Sequence, residues 1–127
     1  MTYHAGVPTG YNQGTNIALD SEESLERFIS LLARPGSPDA VIQGDDGEDG
    51  LLVVHVAHGF GYLAYYGSSM FGHSVGEPAS PALAAESEAG WPAGSGVPLT
   101  TFRATLVEFI QLRGQVPQAV RWQPKDP

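Results

Sequence analysis

The sequence predicts an α+β fold, a single domain in which an antiparallel β-sheet of about five to six strands carries two helices packed on one face. Three observations carry this expectation. Two segments repeat apolar residues at helical spacing, Leu25/Phe28/Ile29/Leu32 and Phe102/Leu106/Phe109/Ile110. Between them lie β-branched and aromatic runs whose connecting turns are too short for a crossover helix, so adjacent strands must run antiparallel. The chain has 127 residues, the size of one ordinary domain and enough to bury a core without a metal or a disulfide.

Taken in order, residues 1–16 are rich in Gly, Thr, Asn and Tyr without periodicity and read as a loose N-terminal segment or a short edge strand. A helix is expected over 21–33, with Asp20 at the cap, Glu23 three residues on and Pro35-Gly36 as the stop. Val41 to Gln43 is a short strand. The run from Gly44 to Gly50 is a turn with two Asp-Gly pairs, and Leu51 to Ala57 is the next strand. Gly59-Phe60-Gly61 reads as a second turn and Tyr62 to Tyr66 as the partner strand. In the Gly-, Ser-, Pro- and Ala-rich stretch 67–98, Leu83 to Glu88 is a strand candidate. Trp91-Pro92-Ala93-Gly94 is a turn with an aromatic placed for exposure. A helix over 100–113 ends at Gly114. Ala119 to Gln123 forms a last strand with Trp122 in the core, and 124–127 is a tail.

Composition removes several function classes. Six Lys and Arg face 14 Asp and Glu, for a net charge of −8. A chain so acidic cannot build the broad basic face that binds phosphate backbones or anionic lipid, so neither nucleic acid nor membrane is an expected direct partner. The absence of cysteine excludes disulfides, thiolate zinc sites and a thiol nucleophile. No apolar run approaches the roughly 20 residues of a membrane span, and residues 1–16 hold neither Lys nor Arg, so the expected location is cytoplasmic.

The chemical motifs fail one by one. His55 and His58 form an H-x-x-H pair, but on a strand those positions point to opposite faces. His4 and His73 have no partner at fixed spacing. An EF-hand register starting at Asp45 places Val56 where a bidentate Glu is required. Gly59-Phe60-Gly61 enters a strand and lacks the third glycine of a dinucleotide loop. Glu86 and Glu88 share one strand face as solvated carboxylates do. The expectation is therefore a non-enzyme with no catalytic residue, no cofactor and no metal. What remains is charge layout. From Arg34 to Arg103 there is no Lys or Arg, while Asp39, Asp45, Asp46, Glu48, Asp49, Glu77, Glu86 and Glu88 fall between them. Such a segment suits a basic partner surface. The candidate partner-binding residues are Asp45, Asp46, Glu48, Asp49, Glu86, Glu88 and Trp91.

An ordered set of segments also resembles a known family. It runs from the hairpin Leu51–Val54 and Gly61–Tyr65 through Gly76-Glu77-Pro78-Ala79-Ser80-Pro81, Gly90-Trp91-Pro92-Ala93-Gly94 and Val97-Pro98. It continues into a helix with Arg103, Leu106, Glu108-Phe109-Ile110 and Gly114, and closes on Pro117, Val120 and Trp122. Over about residues 51–123 this is similar to the deaminase-associated immunity proteins of bacterial polymorphic toxin systems, the first-numbered family of that series. Two departures are Gly96, where members often carry an acid, and the non-aromatic stretch Ala84–Glu88. The resemblance implies an α+β domain that binds a cognate toxin, a zinc-dependent cytosine or adenine deaminase with a basic cleft, and occludes its active site. Zinc and the acid/base glutamate would belong to the toxin. The alternative readings are a non-catalytic protein-binding module or subunit of another complex, and a small ligand-binding domain or enzyme built on the Tyr-rich hairpin with His55 or His58.

Overall fold

The computed structural model describes residues 3–10, 13–34, 39–44, 50–67, 70–83 and 90–124. In chain order its elements are β1 (Tyr3–Gly10), β2 (Gln13–Ala18), α1 (Glu22–Leu32), β3 (Ala40–Gly44), β4 (Leu51–Ala57), β5 (Phe60–Tyr66), β6 (Phe71–Val75), β7 (Val97–Pro98), α2 (Leu99–Gln111) and β8 (Arg121–Pro124). The strands form one antiparallel sheet in the order β2-β1-β3-β4-β5-β6-β8, and β7 pairs with β5 beside that path. The α+β architecture with two helices on the sheet is thus present, with more strands than the sequence suggested.

The additional strands sit where periodicity is weakest. Residues 3–10 and 13–18 are a hairpin, not a loose segment, and β1 lies inside the sheet between β2 and β3. Its inward side chains, Tyr3 and Ala5, alternate with His4 and Gly6. Phe71–Val75, unassigned from sequence, pairs with β5 on one side and β8 on the other. The β4–β5 connection is a two-residue turn at His58 and Gly59, with φ of 56° and 81°. That mirror-image turn matches the strand twist and needs positive φ at both positions, so Phe60 opens the strand instead of sitting in the turn. The α1 cap is Ser21, not Asp20: Ser24 N–H donates to Ser21 Oγ at 3.1 Å and Ser21 N–H donates to Ser24 Oγ at 3.1 Å. The expected strand at 83–88 and the 45–49 turn fall largely outside the described residues.

Both helices lie on the same sheet face. Leu25, Phe28 and Leu32 of α1 and Phe102, Leu106 and Phe109 of α2 are buried against Ile42, Leu52, Val54 and Leu63. Phe109 meets the rings of Tyr3 and Tyr65 edge-on, at 5.5 and 6.4 Å between centroids. Tyr65 in turn donates from its hydroxyl to the Gly114 carbonyl at 2.6 Å, tying the end of α2 to the sheet. Arg103 of α2 and Glu26 of α1 form an ion pair between the helices. Trp122, expected in the core, is half-buried on β8: it packs on Tyr65 and donates through Nε1 to the Pro117 carbonyl at 2.7 Å. Phe109→Ala is expected to destabilise the fold by about 3–5 kcal/mol through the cavity it leaves, read as a lowered urea midpoint.

Candidate functional site

The face of the sheet away from the helices is not left to water. Its central positions, Val53, His55 and Ala57 on β4, Phe60, Tyr62, Ala64 and Tyr66 on β5, and His73 on β6, share one side by register. Over them lie the segments 76–83 and 90–97, described here as a strap. The strap has almost no regular secondary structure, so its backbone groups must find partners another way. They find them in each other. Glu77 N–H donates to the Gly96 carbonyl at 2.7 Å, Gly76 N–H to Gly94 at 2.8 Å, Gly94 N–H to Ser80 at 2.9 Å and Leu83 N–H to Trp91 at 2.9 Å. Ser80, 1% exposed, donates from Oγ to the Glu77 carbonyl and accepts from Gly96 N–H. A side chain at Gly96 would collide with Phe60, Ser80 and Tyr62, all under 3.0 Å from an added Cβ, so the position that departs from the family pattern is one where only glycine fits.

Trp91 is the centre of this layer. It is 1% exposed, so the expectation of an exposed aromatic is corrected. Its ring packs on Tyr62 and His73 with centroids 5.9 and 5.5 Å away. Tyr62 also holds the strap by donating to the Pro81 carbonyl at 2.8 Å. Sequence reasoning took Gly90 and Pro92 as marks of a surface turn; the turn is there, but it folds the indole inward onto the sheet.

Beneath the strap is a polar group that sequence spacing did not indicate. Asp39, just before β3, accepts from Trp91 Nε1 at 3.3 Å and places the same oxygen 3.0 Å from His55 Nδ1. His55 is buried and the Asp39 carboxylate mostly so. The His55 contact is at hydrogen-bonding distance but off the direction of a good hydrogen bond. Tyr66 lies in the same neighbourhood, and its phenol is raised above the ordinary 10.0, first by burial and then by the Asp39 charge. His58, by contrast, is exposed at the hairpin tip, so the two histidines of the H-x-x-H pair do different things. Among the described residues there is no group of three or more His, Asp or Glu arranged to hold a metal ion.

Asp45, Asp46, Glu48, Asp49, Glu86 and Glu88 lie outside the described residues. The acids that are described divide into two kinds. Glu108 accepts from the Gln118 and Ala119 N–H groups, both at 2.8 Å, and so shapes the approach to β8. Glu26 pairs with Arg103, and Glu23 lies 3.7 Å from Arg27. Asp20 and Glu22 stand exposed at the start of α1. The described residues thus form a sheet-and-helix body with exposed carboxylates at the start of α1.

Such a body defines a small α+β domain with a strapped sheet. The model of one family, Immunity protein Imm1, matches residues 13–124, nearly the whole described chain, and the protein belongs to that family of immunity proteins. Neither the curated proteins nor the solved structures contain a match. No helix among the described residues is long and apolar enough to cross a membrane.

Two expectations follow from this layer. Trp91→Ala should lower stability by about 3–5 kcal/mol, as truncation of a large buried ring does, with a matching fall in Tm. In Tyr66 the folded state favours the protonated phenol, so its contribution is intact below pH 10.0 and is lost as pH rises through the raised pKa. Spectroscopic titration at alkaline pH, compared with Tyr66→Phe, should locate this phenol above its ordinary range, and Asp39→Asn should move it down.

Proposed function

We propose that this chain is the antidote to a toxin whose catalytic domain is a zinc-dependent cytosine or adenine deaminase acting on nucleic acid, and that it protects the producing cell by covering that active site. The observation that carries the reading is the Imm1 family match across residues 13–124. The deaminase assignment draws on the resemblance of the strap and α2 segments to immunity proteins of that association, and on charge. A deaminase must admit an extruded or single-stranded base beside a zinc-activated water and a glutamate, and a cleft that holds nucleic acid is basic. A partner of net charge −8 suits such a cleft.

On this reading the chain supplies no catalytic group, cofactor or metal, and it acts in the cytoplasm where the toxin's substrate is. Its contribution is shape and potential. The strap and helices hold the body rigid. The acidic runs Asp45, Asp46, Glu48, Asp49 and Glu86, Glu88 raise the rate of encounter, and Trp91 keeps the strap on the sheet.

The direct test is co-expression with the product of the neighbouring gene as the candidate toxin. Growth should be rescued, the two chains should co-purify, and base conversion by the purified toxin should stop on adding this protein. A toxin that stays active with the protein in excess would end the proposal. For the steering part, Asp45/Asp46/Asp49→Asn is expected to slow association by about tenfold at low salt and to flatten its salt dependence. Stopped-flow kinetics across a salt series would read it, and an unchanged slope would remove this turn from the steering surface.

A further inference from the structure

We infer that the groove between the first turn of α1 and the last turns of α2 is the seat for the toxin, taking an apolar side chain flanked by Lys or Arg. This deepens the toxin-binding reading above and rests on it. The groove has a volume of about 460 Å³, within the range of real binding clefts. Its floor is apolar: Tyr3, Leu19 and Leu25 lie buried at the bottom, and Val107 and Ile110 are half-buried on the α2 side. Its rim is acidic, with Asp20 and Glu22 exposed, and none of its lining residues is Lys or Arg.

The ion pairs of α1 leave this rim alone. Arg27 answers Glu23 and Arg103 answers Glu26, whereas among the described residues no ion pair includes Asp20 or Glu22. Arg103 lies near enough to feel the Glu22 charge, but its ion pair is with Glu26, so the two rim carboxylates leave the mouth net negative. A second copy of this chain would bring the same acids to the contact and be repelled. A basic surface with one protruding apolar residue meets both the floor and the rim, since interface cores favour apolar anchors and rims favour complementary charge.

The test uses the full chain and the neighbouring-gene toxin domain in inactivated form, with affinity read by calorimetry and folding by circular dichroism. Asp20→Lys/Glu22→Lys reverses the exposed rim. Gln111→Trp, also at an exposed position, fills the mouth without touching the core. Each is expected to weaken binding by about tenfold or more while Tm stays close to that of the parent. Arg121→Glu, exposed on the far edge strand, should leave affinity unchanged. If the parent binds the toxin and both groove variants bind within about twofold of it, the groove is not the seat and the toxin reading stands. If the parent binds no toxin, that reading falls and the groove assignment with it. Self-association of the parent that both variants abolish, seen by sedimentation, would give the groove to a second copy and overturn the proposal.

Discussion

The hydrogen bonds around Ser80 are the constraint on which the second face of the sheet depends. An antiparallel sheet commonly packs one face and wets the other. Here the β4–β5 hairpin is buried on both sides at its centre, because Phe102 and Leu106 press on one face and Trp91 and Leu83 on the other. The second cover is a strap, and a strap stays down only if its own amides and carbonyls are satisfied. Ser80 Oγ joins its two arms by accepting from Gly96 and donating to Glu77, and Ser95 Oγ closes a smaller loop on the Pro92 carbonyl at 2.6 Å. The strap is also tied to the sheet, since Ser74 on β6 accepts from Leu63 N–H of β5 at 3.3 Å and donates to the Ser95 carbonyl at 2.7 Å. Loss of the Ser80 hydroxyl would leave the buried Gly96 amide unpaired, a larger penalty than the bond itself would suggest.

What could be read from the sequence follows from what kind of signal each element has. The helices were legible because their buried residues recur at the helical period, and the observed bounds differ from the expected ones by a residue or two. The β4–β5 hairpin was legible from its β-branched and aromatic run. The N-terminal hairpin was not, because its inward residues are a tyrosine, an alanine and an isoleucine scattered among Gly, Thr and Asn, and its strand character comes from pairing with β3. The strap was recognisable as a family pattern but not as a structure. Pro, Gly and Ser carry no period, and Trp91 is buried by its fit to Tyr62 and His73, partners distant in sequence. Asp39 and His55 escaped for the same reason, being brought together by the register of β3 on β4.

The acids of this chain are not one population. Glu108 is committed to two backbone amides, Asp39 to the indole of Trp91, and Glu26 to Arg103. Those charges serve the fold. Net charge alone therefore overstates the potential offered to a partner, and position decides what is left. Asp20 and Glu22 stand at the end of the molecule where Tyr3, Leu25 and Ile110 leave an opening between the helices. Apolar floor and acidic rim occur together there, a pairing that the linear charge count cannot display.

The margins of the sheet have a consequence for how the protein behaves in a crowded cell. An open sheet offers unpaired amides and carbonyls along its outer strands, and these are templates for joining other chains. Here one margin, β8, is only four residues long and ends in Pro124, and β7 is a two-residue strand that stops at Pro98. The other margin, β2, reads Gln-Gly-Thr-Asn-Ile-Ala, mostly polar or small. Proline removes a donor, short strands give little length for pairing, and a charge of −8 keeps like molecules apart. Blunted in these ways, the two margins disfavour edge-to-edge joining of one copy to the next, so the sheet stays closed to strand addition at both ends.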